Sequence, residues 1–357
     1  MACVKSLDTK LARIKADPAS RDFIIADAKD GDMAFGVRAP GPRHHLSKRG
    51  ARPASFSPEV WSREEFGHRN LPELLDIIRE EVKQGVIDLM LMSAYVNEQL
   101  TIKEGLFRDS HVTPAARAND STDIWAVRHG NYTKEPVRPF RSASMDHIQY
   151  GKLGGERAGG EVPGANLGLY SVTFINDLAH DRDTLLAFKE FREEAERKNF
   201  RYFLEVFDPN TATGIAPDKI GEFVNDMIIR SLAGVAGAGR PLFLKIAYHG
   251  PRCLEELVQY DPNLVVGILG GSAGTTYDAC KLIHDAQKHG ARVALFGRKI
   301  NHAEDQLAFI EMLRLITDGK ISPEEAVRSY HSGLKSRKIK PRLPLEKDLE
   351  VTDQALR

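Results

Sequence analysis

The chain has 357 residues, 42% of them hydrophobic, and its 50 Lys and Arg balance 50 Asp and Glu. That length buries a core for one large α/β domain or two smaller ones, and the even charge argues against a nucleic-acid or anionic-membrane partner. Cys3, Cys253 and Cys280 form no CxxC pair or metal-ligand spacing, no apolar stretch reaches a membrane span, and MACVKSLDTKLARIK lacks the apolar centre of a signal peptide, so a reducing, cytoplasmic setting is expected.

In chain order, FIIAD (23–27) is the first apolar run of strand length. LPELLDIIREEVKQG (71–85) sets Leu71, Leu74, Leu75, Ile78 and Val82 on one helical face and stops at Gly85. VIDLMLMS (86–93), DIWAV (123–127) and LGLYSVTFI (167–175) read as the second, third and fourth strands. The helical TLLAFKEFREEAERKNF leads into YFLEVF (202–207), and IGEFVNDMIIRSLAGV into LFLKIAY (242–248). A short CLEELVQYD helix precedes LVVGIL (264–269), and TTYDACKLIHDAQKHG precedes RVALFG (292–297). EDQLAFIEMLRLITDG and SPEEAVRSYHSGL, the latter opened by Ser322 with Pro323 at its first position, close the domain.

Eight strands alternating with helices imply a parallel sheet and favour a closed (β/α)8 TIM barrel over an open doubly wound sheet. The expected organisation is an N-terminal segment (1–20), one barrel domain (21–335) and a polar C-terminal tail (336–357). Long insertions at about 31–70, 94–122 and 128–166 should lie over the catalytic face.

Active sites in such barrels collect at the C-terminal ends of the strands. The residues there are Asp27 and Lys29, Asn176 and Asp177, Glu205 and Asp208, Lys245 and Tyr248, then Gly270, Gly271 and Ser272, and finally Gly297 and Arg298. The glycine-rich turns ILGGSAGT and LFGRKI offer backbone N–H groups near a helix start, with Arg298 or Lys299 adding charge, a phosphate cradle rather than plain turns. Lys245 interrupts the apolar run PLFLKIAYHG. It reads either as a counter-ion whose stem packs in the barrel, paired with Glu205, or as an amine that condenses with a substrate carbonyl.

The segments LKIAYHG, VVGILGGSAGT and ALFGRKI resemble the class I, Schiff-base aldolases of the archaeal-type fructose-bisphosphate aldolase family. They are more distantly similar to tagatose-bisphosphate and deoxyribose-phosphate aldolases. The resemblance runs from about Phe23 to Leu334, most clearly from the fourth strand onward. It implies that Lys245 forms the Schiff base, that Gly270, Gly271, Ser272, Gly297 and Arg298 bind a substrate phosphate, and that Asp27 belongs to the catalytic set. Phe207 stands near the position of the archaeal-type proton-transferring tyrosine and cannot titrate. LEVFD instead resembles the tagatose-bisphosphate enzymes, where a glutamate works with the lysine; Glu205 takes that role, with Tyr248 in reserve.

The expected protein is therefore a cofactor-free aldehyde-lyase, acting on a phosphorylated sugar or keto compound as a homo-oligomer without nucleic-acid or membrane partners. An acyl transferase using the same lysine on a phosphorylated diketone, and a non-catalytic phosphosugar-binding barrel, remain the alternatives. The Arg- and His-rich segments GPRHHLSKRGARP (41–53) and 108–147 could clamp a second anion or form solvated loops or a subunit contact. No metal site is expected, although Asp30, Asp32 and Asp208 keep a magnesium-dependent lyase open.

Overall fold

The computed structural model describes residues 3–17, 19–43, 67–155, 161–271 and 274–357. Among these residues eight strands close into one barrel: β1 (Ile24–Ala28), β2 (Leu89–Met92), β3 (Thr113–Arg117), β4 (Leu167–Thr173), β5 (Arg201–Phe207), β6 (Leu244–Ile246), β7 (Gly267–Leu269) and β8 (Val293–Phe296). Each pairs in parallel with its sequence neighbour, and β1 closes the ring against β8, so the fold is a (β/α)8 TIM barrel.

Seven of the eight strands fall where the apolar runs predicted them, and the third does not. DIWAV is not a strand: Thr122–Ile124 form a single 3-10 turn, and β3 is TPAAR, inside the segment read as an insertion. Its Thr, Pro, Ala and Arg residues carry too little apolar bulk to stand out as a strand. A buried barrel wall needs only that side chains alternate between its two faces, and Ala115 and Ala116 do so.

Period-two alternation divides the wall into two cores. Ile24, Ala26, Leu89, Leu91, Ala115, Leu167, Leu169, Phe203, Phe243, Val293 and Leu295 fill the barrel interior. Ile25, Met90, Tyr170, Val172, Leu204, Ile246, Ile268 and Phe296 face the surrounding helices. The N-terminal segment forms α1 (Ser6–Ala16), which packs Leu7 and Leu11 onto the interior set. Each such burial contributes about 1.5–3 kcal/mol.

The longer crossover helices are α2 (Leu71–Gln84), α3 (Leu178–Arg197), α4 (Ile220–Ala233), α5 (Pro251–Tyr260) and α6 (Thr276–Lys288), followed after a short Arg298–Asn301 turn by α7 (Gln306–Thr317) and α8 (Pro323–Ser336). Gly85 ends α2 at φ 68°, a left-handed cap suited to glycine, and Ser322 with Glu325 forms the capping box that opens α8.

The polar tail folds back instead of leaving the domain. Asp348 accepts from the backbone N of Thr276 at 2.7 Å, Glu350 O accepts from Thr275 Oγ1 at 2.8 Å, and Asp278 accepts from the backbone N of Thr352 at 2.9 Å. The tail thereby clamps the start of α6. No helix among the described residues is long and apolar enough to cross a membrane.

Candidate active site

A cavity of about 690 Å³ opens at the C-terminal ends of the strands. Lys245, Glu205, Arg117 and Asp30 line its floor, Gly270, Gly271, Gly297 and Arg298 one side, and Asp123, Ile124, Arg128 and Thr133 from the segment after β3 its mouth. In that segment Asp120–Ser121 pairs antiparallel with Pro139–Phe140. Trp125 packs edge-on against Tyr132 and Phe140, which gives the loop a small core of its own. Asn210 Nδ2, beyond β5, donates to Glu135 O at 2.6 Å and ties this wall to the barrel.

Strand register builds the floor. Ser171 pairs with Glu205 across β4 and β5, and Glu205 with Lys245 across β5 and β6. All three occupy inward positions above the apolar layer of Leu169, Phe203 and Phe243. Lys245 is 7% exposed, and its Nζ lies 2.5 Å from Glu205 Oε1. Ser171 Oγ donates to Glu205 Oε2 at 2.6 Å.

Arg117 ends β3 on the same face. Its Nη1 donates to Ser171 Oγ at 3.0 Å, its Nε to Asp30 Oδ2 at 2.5 Å, and its Nη2 lies 3.5 Å from Glu205 Oε2. Burial by itself would push the guanidinium down, but Asp30 and then Glu205 carry it above its ordinary value. Asn119 clips the backbone of Ser171 at both polar atoms, with bonds of 2.7 and 2.8 Å. The floor thus holds two cations and two carboxylates in a nearly dry, fully connected network. Burying that many charges is tolerable only because each is paired.

Two expected catalytic residues are not brought to this floor. Asp27 is 0% exposed and faces outward, because Ala26 and Ala28 take the inward positions of β1. It pairs with the buried Lys29 at 2.6 Å, which also meets Glu81 of α2 at 3.0 Å and donates to Gln306 of α7 at 3.1 Å. Asp30, three residues on, is the acid of this strand end that reaches the cavity. Tyr248 likewise turns outward, following Ile246, and packs against the outer core. Burial, with Asp285 and Glu255 nearby, raises its phenol to about 12.

Beyond the glycine turns, the start of α6 is capped within the chain: Thr275 and Asp278 cap one another there, and Asp348 accepts from the Thr276 N–H. The N–H of Gly270 is taken by Leu295 O at 2.7 Å. Gly271 sits at φ 53° and a Cβ on Gly270 would meet Phe296 Cδ1 at 2.2 Å, so the turn needs both glycines, and both line the cavity. Arg298 lines the cavity whereas Lys299 turns away toward Asp348. Ser272, His44, His45 and most of GPRHHLSKRGARP lie outside the described residues.

The basic groups of 108–147 separate in the same way. Arg117 and Arg128 line the cavity. His111 contacts Gly85 O at 2.9 Å, Arg141 pairs with Glu194 at 2.7 Å and His147 with Ser144 at 2.9 Å. Asp30, Asp32 and Asp208 do not converge: their partners are Arg117, Ser93 and His249. Among the described residues no group of three or more His, Cys, Asp or Glu is placed to hold a metal ion.

No protein-family model matches the chain, and no curated protein matches it in sequence. Among solved structures it is similar to an archaeal fructose 1,6-bisphosphate aldolase, with 17% identity over 88% of this chain and 100% of that one at a TM-score of 0.56. An archaeal fructose-1,6-bisphosphate aldolase with its catalytic lysine covalently bound to the carbinolamine intermediate of the substrate matches at 16% identity, over 87% and 99% of the two chains, with a TM-score of 0.57. The fructose-bisphosphate aldolase from Slackia heliotrinireducens matches at 11% identity over 91% of each chain, with a TM-score of 0.58. At these identities the likeness establishes a common barrel fold.

Proposed function

We propose that the protein is a class I lyase that makes or breaks a carbon–carbon bond in a phosphorylated sugar or keto compound through a Schiff base on Lys245. The observation that carries this reading is the contact of 2.5 Å between Lys245 Nζ and Glu205 Oε1 at the cavity floor. An ammonium cannot attack a carbonyl. Glu205 is in reach to take its proton.

The neutral amine adds to the substrate carbonyl carbon, and the carbonyl oxygen takes a proton to give a carbinolamine. Loss of water leaves a protonated imine. A base removes the proton of the hydroxyl two carbons away, the carbon–carbon electrons move into the iminium, and an aldehyde departs from the enamine. Protonation of the enamine carbon and addition of water release the second product and restore the amine. The iminium is the electron sink, so the scheme requires no further cofactor. Phe207 lines the cavity beyond Glu205, which leaves Glu205 as the titratable group beside the lysine.

A phosphate would sit between the Gly270–Gly271 edge of the cavity and the turn at Gly297 and Arg298. That anchor holds the carbonyl over the amine. The similarity to solved fructose-bisphosphate aldolases supports this choice of substrate class. On this reading the enzyme works in the cytoplasm as a homo-oligomer.

The test is turnover with a panel of phosphorylated ketoses, each with and without borohydride. Aldehyde release, together with a mass increase equal to the ketose minus water plus two hydrogens, is expected. Acyl transfer in place of aldehyde release would move the protein to a different lysine-dependent reaction. Phosphosugar binding without an adduct would make Lys245 a counter-ion.

A further inference from the structure

The aldolase reading employs Lys245 and Glu205 and leaves the buried Arg117 unexplained. Resting on that reading, we propose that Arg117, seated by Asp30, is a positioning residue that acts through Ser171 and Glu205 to direct the lysine's proton to one carboxylate oxygen.

A guanidinium can only donate hydrogen bonds. Ser171 Oγ must therefore accept from Arg117 Nη1, at 3.0 Å, and its single hydrogen goes to Glu205 Oε2, at 2.6 Å. Arg117 Nη2, 3.5 Å from Oε2, places positive charge beside that same oxygen. Oε1 is left facing Lys245 Nζ. The proton leaving the lysine thus lands on Oε1 and is returned from Oε1, without rotation of the carboxyl.

Arg117 is itself immobilised, since Asp30 Oδ2 holds its Nε at 2.5 Å and Asp120 adds negative charge nearby. Asn119 fixes the Ser171 backbone. A hydroxyl with no cation beside it could turn and accept from the lysine or from water, and Glu205 could then swing out of line. A displacement of that kind is costly for a proton transfer that depends on geometry.

The test is a double-mutant cycle on the rate of imine formation at Lys245, read by absorbance with pyridoxal phosphate, a phosphorylated aldehyde whose imine is coloured. Arg117→Gln should slow the bound-state rate by about tenfold or more, with the half-saturating concentration within about twofold. In a Glu205→Gln background the same change should cost almost nothing, because residues acting as one unit are not additive. Arg117→Lys, which restores a charged donor, should recover part of the rate. The pair Arg117→Gln with Asp30→Asn removes both buried charges and guards against a folding defect; it should show the same loss. Additive losses in the cycle, or a loss carried wholly by the half-saturating concentration, would overturn the inference while the aldolase reading stood. Absence of any wild-type imine at Lys245 would overturn both.

Discussion

Glu205 and Lys245 are register partners on β5 and β6, with Lys245 Nζ 2.5 Å from Glu205 Oε1 and both side chains nearly sealed from water. A carboxylate so placed can accept the ammonium proton and return it later. Glu205→Gln keeps the shape and removes that capacity. Turnover should fall by about 10²-fold or more with substrate binding little changed, as for loss of a general acid or base. Steady-state kcat and KM decide the point, and an unchanged kcat would shift proton transfer to another group.

Arg298 is the cation of the glycine side of the cavity. Its replacement by alanine should weaken phosphorylated ligands roughly tenfold to a hundredfold, or about 1.5–3 kcal/mol, the range for charge-assisted hydrogen bonds. Unphosphorylated analogues should bind almost as before. Titration calorimetry with matched pairs measures the difference, and equal losses would remove the phosphate from this wall.

Behind β1, the cluster of Lys29, Asp27 and Glu81 has one cation for two acids. Burial pushes the Glu81 carboxyl well above its ordinary 4.5, Asp27 adds to the rise, and Lys29 opposes it. The folded chain therefore binds this proton more tightly than the unfolded chain does. Its contribution to stability is complete below pH 4.5 and is lost as pH climbs through the raised value. Glu81→Gln fixes a neutral group in place of the titrating one. Urea midpoints from about pH 5 to about pH 9 should fall more steeply for the wild type than for Glu81→Gln. Parallel slopes would mean that Glu81 is ionised in the fold.

Strands rich in branched or aromatic side chains were legible because both faces of a barrel wall are buried, and Lys245 was conspicuous because it broke such a run. β3 was not, since alanines satisfy a wall without an apolar signature, and Arg117 at its end was consequently read as part of a loop. Parity also distinguishes Asp27 from Asp30: counting alternate positions from Ile24 sends Asp27 outward. The clamp of Asp348 on Thr276 had no local signal, because it joins residues 72 positions apart through one side chain.

The central claim is that the Lys245 amine is the nucleophile, and peptide mapping of the borohydride-reduced adduct tests it most directly. Wild-type protein should carry the reduced ketose phosphate on the peptide containing Lys245, and Lys245→Ala should carry none while retaining the folded barrel. An adduct that persists in Lys245→Ala, on Lys29, Lys299 or any other lysine, would contradict the account.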